Sequence, residues 1–202
     1  MNEHPPKMSW NIVAKILKED LQYKFRKPEL RMVQAMREDV VENRHVYKCY
    51  FKALIKNGAW FIWIDETSFN TWNLKYHSWV GPKDKVVLVH QVESPTTAIS
   101  ALCDDGVVYS LLKFGTNNDV DFLSFLMKLR KELKLRHEDN YWEVLKSLVV
   151  VMDNCAIHLT EKIQNFFEKT GIVCITLPQY TPEFNPIEKY FRMVKSKMSY
   201  SN

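Results

Sequence analysis

The sequence predicts an α/β protein: a mixed sheet flanked by helices, with a helical segment at the amino terminus. Three observations carry this reading. Two short runs, Trp60–Ile64 and Leu148–Met152, are wholly apolar and rich in aromatic or β-branched residues, as strands buried on both faces are. Between them lie several turn-bounded segments of strand character. After the second run, strands alternate with segments of helical period.

Taken in order, Ser9 followed by Trp10, Ile12, Val13, Ile16 and Leu17 predicts a capped helix with one apolar face. Pro28 is suited to opening a second helical region, with Leu30, Val33, Met36, Val40 and Val41 at helical spacing. The pattern runs on to Ile55 and stops at Asn57-Gly58. Trp60–Ile64 follows as a strand that ends on Asp65. His77–Val80, Val86–Val92, Thr96–Leu102 and Val107–Lys113 are strand candidates, separated by Gly81-Pro82-Lys83-Asp84 and Asp104-Asp105-Gly106. Asp119–Leu133 is an amphipathic helix, and Leu148–Met152 a strand that ends on Asp153. Thr160–Thr170 is helical up to Gly171, Ile172–Leu177 is a strand, Pro178–Pro186 a proline-punctuated loop, and Ile187–Met198 a last helix. The expected division is a helical segment over 1–56 and a core over 57–202.

Composition narrows the class. Of the 202 residues, 46% are hydrophobic and 26% charged, which suits a globular chain rather than a disordered one. The net charge of +4 is unevenly spread. Residues 1–56 carry 12 Lys+Arg against 7 Asp+Glu, a net of +5, whereas the other 146 carry 16 against 17, a net of −1. A basic leading segment on a near-neutral body is what a phosphate-binding arm on an enzyme would look like, although a solvated helix face reads the same way. Cys49, Cys103, Cys155 and Cys174 form no C-x-x-C pair, against a zinc ribbon or a disulfide framework and in keeping with a reducing compartment. No apolar run is long enough to cross a bilayer, so no membrane partner is expected. The expected location is intracellular: the nucleus in a eukaryotic host, the cytoplasm otherwise.

The acidic residues carry the chemistry. Asp65 and Asp153 each follow a buried strand, where an unpaired charge beside a dry core costs several kcal/mol. Glu188 stands in the first turn of a helix whose departure point is set by Pro178, Pro182 and Pro186. Taken singly, each has an ordinary structural role, as a strand-end cap or a helix-dipole partner. Together, three carboxylates on different elements suit hard divalent cations, Mg²⁺ or Mn²⁺, held as a pair for an in-line displacement at phosphorus.

Three blocks extend this reading. They are Phe61-Ile62-Trp63-Ile64-Asp65-Glu66-Thr67-Ser68-Phe69, Val149-Val150-Val151-Met152-Asp153-Asn154-Cys155-Ala156-Ile157-His158, and Leu177-Pro178-Gln179-Tyr180-Thr181-Pro182-Glu183-Phe184-Asn185-Pro186-Ile187-Glu188. In these blocks, and in the 34 residues between Asp153 and Glu188, the chain resembles the mariner-like transposases of the DDE superfamily. The third block, a Pro-x-Tyr-Ser-Pro-x-x-Asn-Pro-Ile-Glu signature, is the most specific; Thr181 stands for the usual Ser and Phe184 for Leu, while Cys155 replaces a small Ala and Phe191 a common Trp. The resemblance implies a ribonuclease-H-like fold, with Asp65, Asp153 and Glu188 as catalytic metal ligands for two Mg²⁺ or Mn²⁺ ions. It implies cutting of double-stranded DNA at transposon ends and joining to target DNA.

Asn154, His158 and Asn185 are expected around the ligands rather than among them: His158 to orient Asp153 or substrate phosphate, or to cap a helix, and the two amides to fix loops. Trp10–Leu21 matches only the last helix of the family's DNA-binding region, so a catalytic core without its specificity module is expected, and a helix-turn-helix needs at least one helix more. Assembly as a homodimer is left open. The competing readings are a catalytically idle or domesticated DNA-associated protein or transposon fragment, and another ribonuclease-H-like nuclease or integrase. An integrase of the retroviral type calls for an amino-terminal His/Cys zinc module, which this sequence lacks.

Overall fold

The five apolar residues Leu148–Met152 form strand β4, buried at every position, and β4 lies beside strand β1, Trp60–Phe69. The computed structural model describes residues 9–25, 33–69 and 95–200. Among these, β2 (Thr96–Cys103), β3 (Gly106–Phe114) and β5 (Val173–Thr176) complete a five-stranded sheet of order β3-β2-β1-β4-β5. β1–β2 and β2–β3 pair antiparallel, β1–β4 and β4–β5 parallel. The sheet is therefore mixed, as expected. The strand candidates His77–Val80 and Val86–Val92 lie outside the described residues.

Strand periodicity builds two cores from one sheet. Ile62, Ile64, Val150 and Met152 face one side, packed with Phe122, Phe125, Leu126, Leu129 and Leu133 of α3 (Asp119–Arg136), Tyr141 and Leu145 of α4 (Tyr141–Ser147) and Ile163 and Phe167 of α5 (Glu161–Thr170). Phe61, Trp63, Val149 and Val151 face the other, against Ile187 and Phe191 of α6 (Ile187–Tyr200) and against Tyr47, Phe51 and Leu54 of α2 (Glu38–Lys56). Helices on both faces of the sheet give three layers.

Local signals explain several boundaries. Asn118 caps α3 by accepting from the Val120 and Asp121 amides at 3.0 and 2.9 Å, while Asp121 accepts from the Asn118 amide at 3.1 Å. Gly171, at φ 68°, ends α5 in the left-handed region where a side chain is strained. Elsewhere the structure departs from expectation. Val33–Met36 is a 3-10 turn and Arg37 is extended, at φ −59° and ψ 143°, so the long helix begins only at Glu38. Arg37 pairs with Asp39 through two bonds of 3.0 and 2.8 Å, and Glu38 and Asp39 set negative charge on the new helix's first turn. The helix α4 was not expected from the sequence. β1 also runs past Asp65: its pairing with β4 ends at Trp63, but pairing with β2 continues from Trp63 to Phe69.

The chain divides into two compact units, Met1–Met32 and Val33–Asn202. In the first, α1 (Trp10–Lys15) passes into a π-helical stretch, Ile16–Asp20, and Trp10, Tyr23 and Phe25 are exposed. No described helix is long and apolar enough to cross a membrane.

Candidate active site

The parallel register sets the first two carboxylates side by side. β1 and β4 are neighbours, Asp65 lies two residues beyond their last pair, Trp63–Val151, and Asp153 directly follows β4. Alternation along β1 turns Asp65 to the side of Phe61 and Trp63, where α6 packs, and Glu66 to the side of Ile62 and Ile64, where α3 packs. Glu188 is the second residue of α6 and exposed, its amide donating to the Asn185 carbonyl at 3.2 Å. Asp65, Asp153 and Glu188 line one cavity of about 500 Å³, walled by Asn154, Cys155 and the segment Leu177–Pro182 with Asn185.

The electrostatics of this cavity are unfavourable for Asp65. Burial, with the charges of Asp153, Glu188 and Glu66, pushes its carboxyl up from 3.8 to about 7, although the Glu66 amide donates to Oδ1 at 2.7 Å and opposes the rise. Its other oxygen accepts from Asn185 Nδ2 at 2.8 Å. Asp153 is shifted the opposite way: hydrogen bonding to His158 holds its carboxyl below the usual range against the cost of burial, helped by the Cys155 amide. Both donors act on Oδ1, His158 Nδ1 at 2.8 Å and the Cys155 amide at 3.0 Å.

His158 is buried, with its other ring nitrogen 3.3 Å from Glu66 Oε1 and its ring 4.1 Å, centre to centre, from that of Phe122. Burial alone would lower its pKa, but hydrogen bonds to Asp153 and Glu66 and their charges raise it to about 10. Asn154 is exposed and donates to the Leu177 carbonyl at 3.0 Å, joining the segment after β4 to the residue that follows β5. Asn185 is buried, and its Oδ1 has no hydrogen-bond partner.

The structure thus brings the three expected carboxylates to one cavity and places Asn154, His158 and Asn185 around them. Sequence reasoning had not singled out Glu66 or Arg44. Arg44, buried in α2, donates to the Tyr180 carbonyl at 3.1 Å and so ties α2 to the loop that leads to Glu188. Glu66 had one available signal, its place next to Asp65 on a strand, which turns it to the opposite face.

Oxygen donors of this kind suit a hard divalent cation, and three like charges around one cavity with Asp65 driven up to about 7 give that cation an electrostatic role. As the side chains lie, no three His, Cys, Asp or Glu groups among the described residues close around a single ion. Asp65 is bonded to Asn185, and Asp153 to His158.

Comparisons with known proteins agree with this architecture. No curated protein matches the chain in sequence. Among solved structures, the chain is similar to the Mos1 transposase paired-end complex with left transposon end, at TM-score 0.65 and 15% identity over 98% of this chain and 68% of that one. It is also similar to the Mos1 mariner paired-end complex with Mn, at 0.64 and 18% over 97% and 67%. Against the catalytic domain of Mos1 mariner transposase the values are 0.60 and 16% over 88% and 77%. At these identities the likeness is one of fold, ribonuclease-H-like. The family model for DDE superfamily endonuclease matches residues 61–202, from the second residue of β1 through Asp65, Asp153 and Glu188 to the carboxyl terminus, and by that match the chain belongs to the DDE superfamily endonucleases.

Proposed function

We propose that this chain is the catalytic core of a cut-and-paste DNA transposase, in which Asp65, Asp153 and Glu188 hold two Mg²⁺ or Mn²⁺ ions. The observation that carries the reading is the shared cavity: three carboxylates from β1, the end of β4 and the start of α6 line it together, and their mutual repulsion weighs on Asp65. When bound, the metal pair supplies an activated water or 3′-hydroxyl and charge stabilisation for in-line displacement at phosphorus.

The chain's own groups provide placement. Asn185 fixes Asp65 Oδ2, and His158 with the Cys155 amide fixes Asp153 Oδ1, leaving the other oxygen of Asp153 without a protein donor among the described residues. Asp65 must release its proton to become a ligand, so it is ionised when the site is loaded. The first strand cut is hydrolysis of a phosphodiester at a transposon end. Joining is attack of the freed 3′-hydroxyl on a target phosphodiester, which leaves the phosphodiester count unchanged.

Double-stranded DNA is the partner this reading requires, met through the basic segment 1–56, with 57–202 as the catalytic part. The fold match to a complex with a transposon end supports it. The test is nicking of supercoiled plasmid by the purified chain with Mg²⁺ or Mn²⁺, beside Asp153→Asn. Metal-dependent nicking that the substitution abolishes is expected; nicking that survives it would place the chemistry elsewhere.

A further inference from the structure

Glu66 is a fourth acidic group at the site, on the sheet face away from the cavity. It follows Asp65 on a strand, so the two carboxylates diverge, Asp65 towards α6 and Glu66 towards α3. His158 spans from Glu66 to Asp153: one ring nitrogen is 2.8 Å from Asp153 Oδ1, the other 3.3 Å from Glu66 Oε1. The imidazole is buried at 1% exposure, and the ring of Phe122 lies against it at 4.1 Å. A ring held at both nitrogens and against one face has no freedom to turn. Its bond to Asp153 consequently has one direction.

We propose that Glu66 and His158 are positioning residues that lock the carboxylate of Asp153 in the orientation that receives a divalent ion. Glu66 acts through His158 and touches neither substrate nor metal. By accepting from one ring nitrogen, it directs the other at Asp153 Oδ1, where the Cys155 amide also donates at 3.0 Å. Two donors on one oxygen set the plane of the carboxylate and turn its second oxygen away from them. Outer partners of this kind govern metal affinity: their loss costs about 10- to 100-fold in affinity or activity. The inference rests on the proposed metal site, and Asp153→Asn serves as its control.

The experiment is Mn²⁺ binding to the full chain, read by electron paramagnetic resonance and calorimetry, for wild type, Glu66→Gln, Glu66→Ala and Asp153→Asn. Glu66→Ala should weaken Mn²⁺ binding by about 10- to 100-fold, while DNA affinity measured without metal stays at the wild-type value. Glu66→Gln keeps an acceptor for the ring and should recover most of the loss. Wild-type binding that Glu66→Ala leaves unchanged would overturn the positioning role alone. A wild-type chain that binds no Mn²⁺, or binds it as well with Asp153→Asn, would overturn the metal site and the positioning role together.

A second measurement needs no substitution, and so does not depend on any variant folding. In the nitrogen and proton spectrum of the wild-type imidazole, Mg²⁺ should shift the His158 ring signals along with the Cys155 amide. If Mg²⁺ moves the Cys155 amide and leaves the His158 ring unmoved, His158 does not orient the liganding carboxylate.

Discussion

Asp65→Asn isolates what the clustered charges cost the fold. The Asp65 carboxyl is raised from 3.8 to about 7, first by burial and then by the charges of Asp153, Glu188 and Glu66. A raised acid is a native state that holds its proton more tightly than the unfolded chain does. Below pH 3.8 both states are protonated and Asp65 costs nothing. Between that value and about 7 the unfolded chain ionises first, and stability falls as pH rises. Above about 7 the penalty is complete, with an upper limit of about 4 kcal/mol.

Local relaxation and water entry reduce this, so about 2 kcal/mol is a fair expectation, or roughly 4–8 °C in Tm for a chain of this length. Asparagine removes the charge and keeps the contacts. Its amide can still accept from the Glu66 amide, and Asn185 can turn its unpartnered Oδ1 towards the new NH₂ group. In metal-free buffer at pH 8, Asp65→Asn should melt several degrees above wild type, and the gap should vanish near pH 4. Added Mg²⁺ should reverse the ranking, because at about 100 times its Kd it gives the wild-type chain about 2.7 kcal/mol that the variant cannot collect. Thermal melts by circular dichroism with and without Mg²⁺ provide the assay. Equal or lower stability of Asp65→Asn at pH 8 would refute the claim that this carboxylate is electrostatically strained.

Other outcomes follow from the same structure. Glu188→Ala should lower metal-dependent nicking by about 10³-fold, since a lost ligand removes several kcal/mol of charge stabilisation, yet leave the melting curve near wild type because Glu188 is exposed. Phe122→Ala, at a fully buried position against His158, should cost about 3–5 kcal/mol, visible in urea denaturation. Asn118→Ala removes the capping oxygen of α3 and should cost about 1 kcal/mol by the same measurement. Deleting residues 1–27 removes six Lys+Arg and three Asp+Glu. The slope of log K for DNA against log salt should then become shallower by up to about 2.7.

Much of the candidate site was legible in the sequence because its determinants are local. Leu148–Met152 has the composition of a doubly buried strand, and Asp153 is simply the next residue; the prolines before Glu188 mark a constrained loop in the same way. Gly171 and Asn57-Gly58 announce helix ends through backbone preference alone. Less was legible where tertiary contacts decide. Asp65 read as a strand end because Glu66–Phe69 lose the apolar run, yet their pairing with β2 carries the strand on. The break at Arg37 interrupts a pattern of helical period and is coupled to an ion pair with Asp39, which periodicity does not encode. α4 has seven residues, too few for a period to show. The Glu66–His158 contact joins residues 92 positions apart, and Arg44 reaches Tyr180 across 136, so neither could be read from spacing.

The central claim is that Asp65, Asp153 and Glu188 together hold a pair of divalent ions, and the most direct test is a crystal of this chain soaked in Mn²⁺. Anomalous scattering locates the ions without reference to activity. The account predicts two peaks about 3.5–4 Å apart, within coordinating distance of oxygens from all three carboxylates, with His158 still bonded to Asp153. A single peak elsewhere, or Mn²⁺ density that omits Asp65, Asp153 or Glu188, would contradict it.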